Sequence, residues 1–165
     1  MGPLGHLGIT LGAGYVLNRV QPLKLNLGVV AFSALLPDLV DKPLYVLGIG
    51  DGRYVGHTLL FVFLVAGAVS LKNKLYGLSV LFGAILHLLL DSGDVPWLYP
   101  FVNYDFIVDF DPGGISARLS TLFDTLEGRY YDASTLAAEL IGLIIVLSLL
   151  CYLLWRYFRA KRSIT

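Results

Sequence analysis

A chain of 165 residues with 56% hydrophobic content, 15% charged residues and a mean hydropathy of +0.73 has room for one domain, in the balance of an integral membrane protein. Its formal net charge is zero, which argues against nucleic acid as a partner, because binding a phosphate backbone needs a basic surface. The single Cys151 excludes a disulfide within the chain.

Five apolar stretches follow one another: Leu4 to Leu17, Leu25 to Leu36, His57 to Leu71, Leu75 to Leu90 and Thr135 to Tyr157. Only the last has the roughly 20 residues that cross about 30 Å of hydrocarbon. The other four are short, but a thinned or protein-shielded bilayer accommodates such mismatch at fractions of a kcal/mol per Å. The first stretch has no charged segment before it, unlike a cleavable signal. Lys42 to Gly56 reads as a loop whose apolar piece, Pro43 to Ile49, dips into the interface.

Ser92 to Ser134 is a long connection. Its first part carries Trp97, Tyr99, Phe101, Tyr104, Phe106 and Phe110, residue types that settle at headgroup level. Its second part predicts an interfacial helix, N-capped by Ser116, with Leu119, Leu122, Phe123 and Leu126 at helical spacing. The expected architecture is all-α: a single membrane-embedded domain over residues 1–165, a bundle of about five transmembrane helices. An external interfacial segment, 92–134, is inserted between helices 4 and 5, and a basic tail occupies 156–165.

Charge sets the orientation. Arg19, Lys24, Lys72, Lys74, Arg156, Arg159, Lys161 and Arg162 lie in connections without an acid, whereas all twelve carboxylates lie toward the other side. The positive-inside rule puts the tail in the cytoplasm and the acidic loops outside, in a multi-pass protein of the plasma (inner) membrane. Five spans then bring the N-terminus outside too, and His6 joins Asp38, His57, His87 and Asp91 near one surface.

Ionisable groups beside spans are expensive and usually face a cavity or bind something there. His87 and Asp91 are four apart, one above the other on a helix, so imidazole and carboxylate can reach one ion or simply bond each other. Imidazole mixed with carboxylate suits zinc, manganese or iron better than calcium or magnesium. Asp38, His57, His87 and Asp91 would hold one ion, and His6 with a shared Asp91 would begin a second. Asp41, one turn beyond Asp38, is a catalytic candidate that could also orient a ligand histidine or be solvated. Arg53, four residues before His57, is a second candidate that would contact an anionic headgroup, the alternative being an ordinary surface arginine. Trp97 and Tyr99 are the expected substrate-seating aromatics. Glu139, in the first turn of the last span, is already accounted for by that helix's dipole, although a ligand or base role is open to it.

Three strings extend the argument: Ala34-Leu-Leu-Pro-Asp38, Arg53-x-x-x-His57-Thr58 and His87-Leu-Leu-Leu-Asp91-Ser-Gly-Asp-Val-Pro-Trp-Leu-Tyr-Pro-Phe101. Together they resemble the membrane-bound metal-dependent hydrolase family of inner-membrane proteins, from His6 to Phe101, about two thirds of the chain. The family's Pro-Asp-x-Asp motif has Val40 at its second acid and Asp41 one place later. Its His-Arg pair is Gly52-Arg53, and its Thr-His-Ser triplet is Gly56-His57-Thr58. A more distant similarity, to zinc-dependent phospholipase C and the fungal zinc nucleases, implies two of their three metal positions; no histidine is left for the third.

The resulting expectation is a metal-dependent hydrolase, phosphodiesterase- or phospholipase-like, acting on a phosphoester of a lipid or lipid-linked substrate at the outer interface. One or two divalent ions, zinc first, would polarise the phosphoryl oxygen and lower the pKa of a bound water. A metal transporter or sensor ranks second, because the polar residues available for a path, Thr10, Ser33, Ser70, Ser79 and Ser148, are scattered. A structural protein tied together by metal is the third reading. Small residues such as Gly12, Gly28, Gly67 and Gly83 permit close helix approach within or between subunits, so oligomeric state is open.

Overall fold

The computed structural model describes residues 1–21, 23–50, 52–91, 93, 95–104, 114–129 and 131–162, and among them the regular structure is all helical. The helices are α1 (Pro3–Val20), α2 (Leu27–Ser33), α3 (Leu36–Val46), α4 (Leu59–Lys72), α5 (Lys74–Leu90), α6 (Ile115–Leu126) and α7 (Ala133–Arg162), with a single 3-10 turn, Val55–His57, before α4.

Local chemistry explains most of the boundaries. Asn26 caps α2 by accepting from Val29 N at 3.0 Å, and Thr58 Oγ1 caps α4 by accepting from Phe61 N at 3.0 Å. Asn73 separates α4 from α5 within one residue: its extended backbone ends one helix, and its side chain accepts from Leu75 N and Tyr76 N to begin the next. Pro3 opens α1, where its missing N–H costs nothing, but no side chain of the local sequence caps that end.

Contacts between helices give their directions. α1 and α7 run parallel: Gly5 meets Glu139, a Cβ at Gly8 would overlap the Gly142 backbone, and Tyr15 meets Tyr152. Glycine at both 8 and 142 is what lets these backbones touch. α2 and α5 are also parallel, joined at one end by Asn26 N to Ser79 Oγ at 2.9 Å and at the other by His87 Nδ1 to the Ala34 carbonyl at 2.6 Å. α4 lies antiparallel to α5, with Gly77 against Ala66 and Ser70. The start of α1, the end of α2, the start of α4, the end of α5 and the start of α7 therefore meet at one end of the bundle. A small apolar core of Val62, Ala84, Leu88 and Val95, covered by Trp97, lies beneath that end.

Several sequence expectations change. The stretch Leu25 to Leu36 is broken: α2 has seven residues, rising about 10 Å. Asp38 stands in the first turn of α3, where the dipole favours an acid. The segment from Lys42, expected as a loop, continues α3 to Val46 with Pro43 inside, because the buried Asp41 is tied to the next turn of chain. Ser116 does not cap α6; Gly114 precedes the helix and no side chain caps it. α7 extends over 30 residues, about 45 Å, and among the described residues it is the one helix long and apolar enough to cross a membrane. Its exposed faces are apolar, with Leu140, Ile144 and Leu147 each at least half exposed.

Candidate functional site

Three histidines reach the common end of the bundle from α1, the 3-10 turn and α5, and all three are completely buried. His6 stacks on His87 with ring centroids 3.9 Å apart, and His57 meets the His87 ring edgewise at 5.1 Å. Two carboxylates complete the cluster. His57 Nε2 lies 3.8 Å from Asp38 Oδ1 and 3.8 Å from Asp91 Oδ2, while Asp91 Oδ1 lies 3.0 Å from His6 Nε2. Two groups of donor atoms, His6–His87–Asp91 and Asp38–His57–His87, are close enough to hold a metal ion.

The hydrogen bonds behind the rings decide which nitrogens face inward. Asp41 is fully buried and accepts from Tyr54 N at 2.6 Å, Gly56 N at 2.8 Å, His57 N at 3.2 Å and His57 Nδ1 at 2.7 Å. A carboxylate only accepts, so His57 Nδ1 carries the proton. His87 Nδ1 likewise donates to the Ala34 carbonyl at 2.6 Å. Each neutral ring is left with a bare Nε2, and the two Nε2 atoms face each other at 3.2 Å. Two opposed lone pairs repel unless a cation, either a proton or a metal, lies between them. Two imidazole nitrogens on a tetrahedral zinc, each about 2.0–2.1 Å from the ion, stand about 3.3–3.4 Å apart, which matches this spacing.

His6 adds a second indication. The approach of its Nε2 to Asp91 lies off the N–H direction, so neither ring nitrogen makes a hydrogen bond; the Thr10 hydroxyl, one turn along α1, is also unpaired. With Nδ1 unbonded and Nε2 only 3.0 Å from the Asp91 carboxylate, the buried ring is placed as a ligand would be.

Asp91 is the hub. Its first oxygen accepts from the N-terminal amine at 2.9 Å and lies 3.0 Å from His6 Nε2, and its second accepts from Arg53 Nε at 3.0 Å. Burial would raise its carboxyl, but the His6 ring, Arg53 and the amine together hold it well below the usual carboxylate range. One oxygen of Asp91 is turned to His6 and the other to His57. His87 offers a single lone pair and can complete only one of the two donor groups.

Asp41, read from the sequence as catalytic, is a positioning residue: every short contact given above is to chain it holds in place, and it touches no open space. Gly56 makes this possible, since a Cβ there would stand 2.6 Å from the Pro37 carbonyl and 3.1 Å from Asp41. Arg53, expected to contact an anionic headgroup, lies at the cluster with its Nε 3.0 Å from Asp91. Trp97 packs on the α4–α5 core and its carbonyl accepts from Leu59 N at 3.0 Å; Tyr99 meets the Tyr54 hydroxyl at 3.1 Å. Neither lines the cleft beside the cluster, and Phe106 and Phe110 lie outside the described residues.

That cleft, of about 780 Å³, was not foreseen from the sequence, nor was the part of Lys42, whose Nζ lies 3.4 Å from Asp38 Oδ1. Asp38, Lys42, Arg53 and Asp91 line it, with α3 and α6 as apolar walls. Tyr131 also lines it, and burial together with the nearby Glu139 and Asp38 carboxylates raises its hydroxyl, which stays a proton donor. Glu139 has a role that its own helix does not suggest. It accepts from Gly5 N at 2.6 Å and Leu4 N at 3.1 Å, capping the uncapped start of α1 and fixing the turn that carries His6. The lack of a local cap after Gly2 was the one available signal.

The chain matches the YdjM inner membrane protein family over residues 1–162 and belongs to it, which gives it a membrane location. No curated protein and no solved structure matches it.

Proposed function

We propose that this protein is a membrane-embedded, metal-dependent hydrolase that cleaves a phosphoester at the outer interface of the inner membrane. The observation that carries this reading is the pair of inward-facing His57 and His87 Nε2 atoms, 3.2 Å apart, buried and ringed by Asp38 and Asp91. Asp38, His57, His87 and Asp91 would hold one ion, and His6 with the other oxygen of Asp91 would begin a second. Zinc fits the donor set best, and manganese and iron suit it too. A bound divalent ion supplies Lewis acidity and a hydroxide near neutral pH.

The chain's own groups account for the rest. Asp41 and the Ala34 carbonyl orient the two rings, and Glu139 holds the turn bearing His6. Arg53 and Lys42, both partly exposed beside the cluster, favour an anionic substrate, which points to a phosphoester rather than a neutral ester or amide. In this reading α1, α2, α4, α5 and α7 alternate in direction within the membrane, the short α2 being shielded by its packing on α5. Their shared end faces outward, and the basic tail lies in the cytoplasm.

Elemental analysis of the purified protein beside Asp91→Ala is the first test: one or two equivalents of metal in the wild type and a clear drop in the variant are expected. Metal-dependent release of phosphate or headgroup from a panel of phosphodiesters is the second. A wild type that binds metal but turns over none of them removes the hydrolase assignment.

A further inference from the structure

The 780 Å³ cleft is within the range of about 300–1,000 Å³ that encloses a ligand, and its lining is sharply divided. All its charged groups are gathered at the ion cluster: Lys42 lies 3.4 Å from Asp38, and Arg53 lies 3.0 Å from Asp91. Away from that end the walls are largely apolar, with Val46 at the end of α3, Leu47 just after it, and Leu122 and Leu126 on α6. From Asp38 to Leu47 the helix axis advances about 13 Å, so the apolar wall leads directly away from the charged end.

α6 forms a wall without belonging to the core. None of its residues is buried, and Phe123 and Leu126 are more than half exposed, continuing the apolar surface past the cleft. A slot with cations at one end and hydrocarbon along its length is complementary to an amphiphile with an anionic head and a tail. A free phosphate would use the first feature and leave the second without purpose.

We infer that the cleft between α3 and α6 holds the acyl chain of a phosphate-headed lipid, with Lys42 and Arg53 against the phosphate beside the ion cluster. This rests on the phosphoester reading of that cluster and names its substrate class: a lipid that moves in sideways from the bilayer, its chain staying in apolar surroundings. Lys42 is then a specificity-determining residue, holding a non-bridging phosphate oxygen while Asp38 serves the ion.

The experiment compares the full-length protein with Val46→Trp and Leu126→Trp, which fill the slot from opposite walls, in zinc-loaded nanodiscs. Two substrates are used, a long-chain lysophospholipid and the chainless bis(p-nitrophenyl) phosphate. In both variants the ratio of kcat/KM for the lipid to that for the chainless ester is expected to fall about tenfold, the loss of about two buried methylenes. Lys42→Gln should raise the lipid KM. In parallel, binding of a chain-spin-labelled lysophosphatidic acid is measured without turnover. Saturable immobilisation of the label in the wild type and its release in either tryptophan variant support the cleft even if no ester is hydrolysed, an outcome that removes only the hydrolase reading. Because α6 has no buried residue, Leu126→Trp keeps the test open should Val46→Trp fail to fold. A ratio unchanged in the folded variants, or a label as mobile in the wild type as in bulk lipid, overturns the inference.

Discussion

The two ends of the bundle treat charge in opposite ways. At the far end, Arg19 bonds the Tyr15 and Tyr152 hydroxyls at 3.0 and 2.9 Å, Arg156 lies over Tyr152, and Arg159 lies over Trp155. The three arginines are exposed, and apart from the Arg19–Tyr152 bond between α1 and α7 each of these contacts lies within one helix. At the near end His6, His57 and His87 have no exposure, and their partners come from five segments of chain. Desolvated charge needs partners in fixed positions, whereas solvated charge needs none, so buried ionisable groups gather at one end and exposed basic groups at the other.

This contrast ranks the consequences of mutation. Asp41→Ala is expected to be the most damaging, because it removes the buried acceptor of the Tyr54 and Gly56 N–H groups and of the His57 ring. A loss of about 3–5 kcal/mol is expected in chemical denaturation, with about a 10–100-fold drop in metal affinity by competition titration. A variant that keeps both stability and affinity would mean that the buried network does not hold the ring.

Asp91→Asn comes next and has a pH signature. A carboxyl held below its ordinary value of 3.8 stabilises the fold above that pH, and the contribution disappears as pH falls through the lower folded value. In metal-free protein the variant should therefore melt below the wild type by similar amounts at about pH 7 and about pH 5, the gap closing only below about pH 4. Melting curves with a chelator check this; a gap that closes between pH 7 and 5 contradicts it.

Gly142→Leu should cost about 1–3 kcal/mol by forcing α1 from α7, and a variant that still folds should lose metal at the His6 position first, read as reduced stoichiometry. Glu139→Ala removes the cap of α1 and should cost about 1–2 kcal/mol, with Glu139→Gln recovering part of it. The smallest effect belongs to the far end: Arg156→Ala and Arg159→Ala should stay within about 0.5 kcal/mol of the wild type, with unchanged metal content. A loss of metal there would erase the distinction between the two ends.

Much of the near end was legible in advance because its residue types are costly in an apolar chain. His6, Asp38, His57, His87 and Asp91 stand out against 56% hydrophobic content, and helices of alternating direction bring them to one end. Arg53 was legible from its position one turn before His57. Asp41 was visible as a candidate but not in its role, since that depends on the backbone of Tyr54 and Gly56, more than a dozen residues along the chain. Lys42 was hidden among charges that read as a solvated loop, because the continuation of α3 through Pro43 was not apparent. Trp97 and Tyr99 were chosen for amphipathic character, which does not distinguish a residue facing the bilayer from one that seals a core.

The sequence alone determined the membrane-type composition, the helical class, the sidedness of charge and the inventory of ligand-type residues, because each is a property of local composition and periodicity. The tertiary structure alone decided that Glu139 caps a helix 134 residues away, that two imidazole nitrogens face each other, and that α3 and α6 enclose a cleft beside them. Those features depend on the closeness of helix crossings and the direction of side chains in space, which one-dimensional periodicity does not specify.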